Sequence, residues 1–478
     1  MSPSGDTGFK KSLNLFDSTA IVVGSMIGSG IFIVSADIAR TVGAPGWLLV
    51  TWLITGLMTV FAALSYGELA SMMPWAGGQY VYLREAYNPM VGFLYGWTLF
   101  LVIQTGTIAA VGMAFGKFLG VIFPWISENH ILFQAGFLKF STVHLTAILS
   151  ILLLTYINTR GVTLGKWVQN IFTVIKFGIL LAFIGLGFLL ARNHQAIDSN
   201  QISFWDARGL KDGISFHLSG IALLAALAAA MVGSLFSSDA WNNITFAAGE
   251  IIRPKRTIPL GLFFGTLAVT VLYIATNYVY LQALPLRGIE NGSTVVERGI
   301  QFASQDRVGT AAMYGILGEQ AGIIMAILIV ISTFGCNNGL ILSGARVYYA
   351  MANDGLFFKR IGELNKNSVP AKALLLQGLW ASLLCISGTY SNLLDYVMVA
   401  VLVFYVLTIL GIFILRIRQP LAERPYKAFG FPVVPALYIL MAVFIIASIV
   451  ILKPGYTWPG LIIVLIGVPV YFLWKKQN

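Results

Sequence analysis

The chain is written mostly in long apolar runs. Stretches of about 20 residues with few charges recur from end to end, separated by short polar or Gly/Pro-bearing connections. An α-helix needs that length to cross the ~30 Å hydrocarbon layer, and the ~10-residue alternating strands of a membrane barrel are not the pattern here. Twelve helical spans are predicted, at roughly 15–40, 46–73, 90–120, 141–157, 166–190, 214–251 (broken), 258–284, 318–350, 371–389, 391–415, 432–452 and 457–474. An even number of spans puts both termini on one side. The first dozen residues are polar and run straight into a full-length span, so no cleavable signal peptide is expected. The connections 191–213 and 285–317 read as outer loops or short surface helices, and 353–370 as the main inner connection.

Two of these runs are interrupted in a matched way. The first contains Val23-Gly24-Ser25-Met26-Ile27-Gly28-Ser29-Gly30, the sixth Val232-Gly233-Ser234-Leu235-Phe236-Ser237-Ser238-Asp239. Gly and Ser at that density weaken a helix. In hydrocarbon a broken helix leaves N–H and C=O groups unpaired, at several kcal/mol each, so such a break survives only where something polar fills it. Breaks five spans apart fit two five-helix repeats of opposite orientation, with cargo held between the interrupted helices. Close packing of small residues is the simpler alternative reading. The predicted organisation is a cytoplasmic segment 1–14, a first repeat at 15–190, an outer loop and second repeat at 191–415, and two further spans with a short cytoplasmic end at 416–478.

Composition narrows the class. The chain is 58% hydrophobic and 10% charged, against about 25% charged in an average soluble domain, and its mean hydropathy is +0.82. The predicted spans place nineteen of the 30 Lys and Arg residues on the side of the termini and ten on the other, with Lys176 inside a span. By the positive-inside rule the termini are expected in the cytoplasm. The net charge of +11 then reflects loops facing anionic lipid, and nucleic-acid binding is not expected. Both cysteines, Cys336 and Cys385, lie in apolar runs. The four histidines have no metal-ligand spacing, and no Gly-rich phosphate loop ends in Lys-Ser/Thr. Neither a metal, a cofactor nor an ATP motor is expected, so uphill transport must draw on a gradient or on exchange.

The candidate substrate residues are Met26, Ile27, Gly28, Ser29 and Gly30 at the first break, and Phe236, Ser237, Asp239 and Asn242 at the second. The half-helix after Gly30 starts with N–H groups at the positive end of a dipole, which suit a carboxylate. Carbonyls freed around Phe236 and Ser237 suit an ammonium group. Donors at one break and acceptors at the other read as a receptor for a zwitterion such as an α-amino acid. Lys176 lies about ten residues, or ~15 Å, into the fifth span, near the bilayer midplane, where a lysine is costly and usually functional. Its ammonium can donate to carbonyls of the broken first helix in place of a bound cation, or load and release a proton. Asp239 reads either as a contact for the substrate amine or as the N-cap of the following half-helix. Phe236 reads as a lid or as plain packing. Glu68, Arg84, Glu250, Arg346 and Arg424, at inner span ends, read as an ion-paired gate or as solvated interfacial charges.

These residues resemble the amino acid–polyamine–organocation superfamily and, within it, the L-type amino acid transporter family, over essentially the whole chain. Gly28-Ser29-Gly30-Ile31-Phe32 resembles the family's first-helix GSGIF. Tyr66-Gly67-Glu68-Leu69 with Pro74 to Tyr82 is similar to its YxEL…PxxGGxYxY segment. Val168 to Thr173 with Lys176 resembles its fifth helix. Arg416, Pro420 and Glu423-Arg424-Pro425-Tyr426-Lys427 resemble its RxxxP…ERPYK loop. The resemblance implies an all-α membrane protein, a monomer of twelve transmembrane helices in a LeuT-like 5+5 inverted repeat with discontinuous helices 1 and 6. It also implies rocking-bundle alternating access and sodium-independent amino acid transport, mostly by obligatory exchange. By resemblance, backbone at Ser29 and Gly30 takes the carboxylate, Phe236 and Asp239 lie at the amine, and Lys176 replaces a sodium ion by bridging helix 1 to helix 8, where Ser332 is the expected partner.

The chain departs from the family in three places. Ser238-Asp239-Ala240-Trp241 stands for a usual Tyr-x-Gly-Trp, and the acidic residue points to cationic substrates beside neutral ones. Gly249-Glu250 stands for Glu-Glu, and Arg253-Pro254 for Asn-Pro. Members that join a heavy-chain glycoprotein carry a cysteine between helices 3 and 4, and 121–140 contains none. No disulfide-linked partner is expected, which suits a prokaryotic member. The leading expectation is a cell-membrane amino acid exchanger that favours neutral L-amino acids. The alternatives are a proton-coupled symporter using Lys176 and a membrane receptor that binds amino acids without moving them. An enzyme is not expected, for no nucleophile–base pair is visible.

Overall fold

The computed structural model describes residues 11–135, 138–191, 193–211, 214–387, 390–452 and 454–477. Most of the predicted leading segment, and Lys10, Arg192 and Lys453 of the charge count, lie outside the described residues. In chain order the helices are α1 Leu15–Met26, α2 Gly30–Ile33, α3 Ser35–Val42, α4 Pro45–Met72, α5 Gln79–Ala86, α6 Pro89–Thr98, α7 Gln104–Ile122, α8 Thr142–Thr159, α9 Val162–Leu190 and α10 His194–Ile202. There follow α11 Gly220–Ser237, α12 Asn243–Phe246, α13 Pro254–Ala283, α14 Val295–Arg298, α15 Val308–Leu317, α16 Glu319–Asn353, α17 Ala371–Ser387, α18 Tyr390–Arg418, α19 Val433–Leu452 and α20 Pro454–Gln477. A π-turn, Leu99–Ile103, joins α6 to α7. Two antiparallel hairpins, β1 Ile131–Ala135 with β2 Leu138–Ser141 and β3 Arg208–Lys211 with β4 Ile214–His217, are the only sheets among the described residues.

Helix starts follow local chemistry. Asn14 and Asp17 form a reciprocal capping box at the head of α1. Proline occupies the first turn of α4, α6 and α13, where its missing N–H costs no helical bond. The sixth predicted span is corrected at its start: residues 214–217 pair as β4 and the helix begins only at Gly220. Among the described residues ten helical segments are long and apolar enough to cross a membrane, and shorter apolar stretches lie in α15, α17 and α20.

The distribution of side chains is that of a protein dissolved in lipid. Leu149, Leu153, Leu440 and Leu465 are more than half exposed on the outer surface. Ser, Thr, Asn and Gln side chains are buried between helices, where each needs a partner. The protein is a multi-pass membrane protein. At one end of the bundle the chain before α1 is tied to the chain after α12: Ser12 and Leu13 donate to the Glu250 carbonyl (2.8 and 3.0 Å), and Ile252 donates back to Leu13 (2.8 Å). That bridge fixes the two interrupted helices side by side.

Candidate functional site

At the first break α1 stops at Met26, Ile27 turns extended (φ −72°, ψ 92°) and the helix resumes at Gly30. Stopping there orphans the carbonyls of Gly24, Ser25, Met26 and Ile27. All four accept from side chains of other helices. Lys176 Nζ, from α9, donates to Gly24 and to Ile27 (3.1 Å to Ile27). Cys336 Sγ, from α16, lies 3.2 Å from the Ser25 oxygen. The Tyr273 hydroxyl, from α13, lies 2.9 Å from the Met26 oxygen. Ser332 Oγ, also from α16, is 3.5 Å from the Ile27 oxygen. Lys176 therefore meets α16 through the shared Ile27 carbonyl, with no direct bond to Ser332 among the described residues. It is the middle residue of α9 and is 1% exposed.

The second break is built differently. α11 ends at Ser237, and Ala240 adopts a left-handed backbone (φ 64°) before α12 begins at Asn243. The carbonyls expected to be free are engaged. Phe236 O accepts from the Asp239 N–H (3.2 Å), and Ser237 O from the Tyr273 hydroxyl (3.1 Å). Asp239 is not an N-cap: Asn242 precedes α12, with no side-chain cap bond. The left-handed turn at Ala240 delays the helix until the aspartate is out of capping range. The Asp239 carboxylate instead accepts from the Tyr405 hydroxyl of α18 at 2.5 Å. The Tyr405 ring packs with Tyr66 and Trp241, at centroid distances of 5.8 and 5.3 Å. Asn242 donates to Gln79 (2.9 Å), which donates to Thr408 (3.0 Å).

The two breaks touch. Gly30 faces Ser237 so closely that a methyl group at position 30 would sit 2.7 Å from the serine Cβ. Only a residue without Cβ permits that approach. One hydroxyl, that of Tyr273, reaches a carbonyl of each break. Met26, Ile27, Gly28, Ser29, Gly30, Phe236 and Ser237 are all buried. Asp239 and Asn242 lie apart from the first break, lining a small cavity with Gln79, Tyr95, Gln104 and Tyr405. Sequence reasoning missed Tyr273, Tyr405 and Cys336. The available signal was a hydroxyl or thiol within an apolar run, which marks polar work inside a membrane but not its target.

The expected gate resolves into three clusters. Glu250 and Arg346 form a buried pair at 3.0 Å. Glu68 accepts from Arg416 (2.9 and 2.6 Å) and from the Ala428 N–H (2.7 Å), with Arg424 Nε 3.4 Å away. Arg84 joins neither group; it pairs with Asp354 and Glu85, and Tyr80 donates to the same Asp354 oxygen at 2.7 Å. A charge at a helix end does not say which neighbouring end it will meet, so the sequence offered Arg84 as an ion-pairing residue without naming Asp354 as its partner.

The chain is 30% identical to the human b(0,+)-type amino acid transporter 1 over 98% of its own length and 88% of the relative's. It is 29% identical to the mouse protein of that name, with the same coverage. To the rabbit large neutral amino acids transporter small subunit 2 it is 30% identical, over 99% of this chain and 82% of the relative. Residues 13–471 match the amino acid permease family. Taken with two broken helices joined around a buried lysine, that match over nearly the whole length establishes that the chain belongs to the amino acid permease family.

Proposed function

We infer that the protein carries amino acids across a cell membrane by alternating access, as a sodium-independent exchanger of L-amino acids that favours neutral ones and, through Asp239, accommodates cationic ones. In this reading there are twelve spans in a 5+5 inverted repeat, 15–190 and 191–415, with both termini in the cytoplasm. The substrate carboxylate docks on backbone N–H groups at Ser29 and Gly30. The amine lies near Phe236 and Asp239, with Asn242 at the edge of the site. Glu250–Arg346 and Glu68 with its arginines close the inner side. The observation that carries the reading is the first break, whose acceptors are filled by Lys176 where a coupling cation would otherwise sit. A fixed ammonium supports transport without sodium. Both cysteines are buried, which supports a unit without a disulfide-linked partner; in this reading it functions as a monomer.

Counterflow into proteoliposomes tests this. Labelled alanine should accumulate only in vesicles loaded with unlabelled amino acid, equally with sodium or potassium outside and with or without a protonophore. Uptake into empty vesicles that collapses with the proton gradient would replace exchange by proton symport on Lys176. Saturable binding with no flux, in vesicles with verified insertion, would make the protein a receptor.

A further inference from the structure

A groove lies on the outer surface of the bundle, away from both helix breaks. One wall is the start of α13, with Lys255 and Arg256 at the top and Phe263 lower down. The other is the segment carrying Lys427 and Phe429, and Leu64 of α4 lines the groove as well. It encloses about 780 Å³. Phe263 is nine residues past the head of α13, and Leu64 eight residues before the end of α4. At 1.5 Å per residue the trough therefore runs about 12–14 Å inward from its basic mouth.

The basic mouth is rigid and under-neutralised. The Tyr426 ring packs over Gly67, where an added methyl would come within 2.8 Å of it. The Tyr426 N–H donates to Ser71 (3.2 Å) and the Ala428 N–H to Glu68 (2.7 Å), so Lys427 is held between two anchored residues. Lys255 is paired with the exposed Glu423 at 3.0 Å. Arg256 and Lys427 have no ion pair among the described residues, and Glu68 is already committed to Arg416. Two unpaired cations above an apolar trough match an anionic headgroup above an acyl chain.

We propose that this groove is a binding site for an anionic glycerophospholipid, whose phosphate lies between Arg256 and Lys427 and whose acyl chain runs along Phe263 and Leu64. A zwitterionic lipid brings a cation of its own to a mouth that already holds two, whereas an anionic headgroup adds only negative charge. No residue of either helix break lines the groove, and neither Arg256 nor Lys427 belongs to the proposed inner gate.

Native mass spectrometry of the purified full chain tests this, with phosphatidylglycerol or phosphatidylcholine of identical acyl chains added in detergent. Phosphatidylglycerol should be retained at least about fivefold better. The Arg256→Gln/Lys427→Gln double variant should erase that preference, whereas Arg256→Lys/Lys427→Arg should keep it. Lys359→Gln/Arg360→Gln removes two exposed cations elsewhere and should leave the preference intact. Equal retention of the two lipids by the unaltered chain, a preserved preference in the first double variant, or an equal loss in the Lys359/Arg360 variant would each overturn the proposal.

Discussion

The two helix breaks solve one problem by opposite means. At the first, four orphaned carbonyls face inward and are satisfied by a cation, two hydroxyls and a thiol from α9, α13 and α16. At the second, the chain supplies its own anion, and a neutral hydroxyl from α18 holds it. The first break is thus a set of backbone dipoles around a fixed positive charge. The second is an acidic side chain, held by a hydroxyl, beside a small polar cavity. Gly30 and Ser237 touch while Asp239 and Asn242 line a separate cavity: the junction is a glycine against an uncharged serine side chain, and the ionisable groups lie to either side of it.

The comparison is broken most severely at Lys176. Lys176→Ala strips the Gly24 and Ile27 carbonyls of their charged donor, and a charge-assisted bond of that kind contributes about 1.5–3 kcal/mol. Flux should fall at least about tenfold while the detergent-solubilised protein stays monodisperse. Undiminished counterflow in a well-folded variant would show that the cation is dispensable.

Tyr273→Phe removes the one hydroxyl shared by the two breaks, at about 1 kcal/mol for a neutral hydrogen bond. Counterflow should drop about fivefold and the melting midpoint only slightly. If flux is unchanged, the shared hydroxyl does not couple the two breaks. Gly30→Ala tests the Gly30–Ser237 contact directly, and its collision with Ser237 should lower counterflow further than Tyr273→Phe does, though less than Lys176→Ala.

Asp239→Asn asks whether the second break's charge faces substrate. Arginine and lysine counterflow should fall about tenfold against less than twofold for alanine. An equal loss for all three substrates would make the carboxylate a mere partner for Tyr405. The smallest effect is expected at Ala240, whose left-handed backbone costs a Cβ-bearing residue about 1 kcal/mol. Ala240→Gly should raise the melting midpoint by a degree or two, since glycine's greater freedom in the unfolded chain offsets part of the relief.

That last position shows how a departure from the family can be read physically. The family pattern places Gly where this chain has Ala240, and Asn where it has Arg253. Both residues sit at positive φ, 64° and 53°. Gly and Asn are the residue types that visit the left-handed region most readily. The chain keeps both turns with less suitable residues, so the turn geometry is imposed by what surrounds it: the Tyr405–Asp239 bond on one side, and the Leu13–Ile252 bridge on the other.

The amino-acid sequence alone determined the apolar helices, the positions of both breaks and the cost of burying Lys176. These are local matters: hydrophobic length, Gly/Ser density and the price of a charge in hydrocarbon all act within one segment. Of the two readings open for Asp239, the cap fails because a single left-handed residue shifts the next helix start, and nothing in Ser238-Asp239-Ala240-Trp241 announces that turn. The partners were settled only by tertiary structure. Lys176 finds carbonyls of Gly24 and Ile27, Asp239 finds Tyr405 and Arg84 finds Asp354 across more than 140 residues of chain in every case. Helix order in the bundle decides such meetings, because an orphaned carbonyl accepts any donor that packing brings within reach.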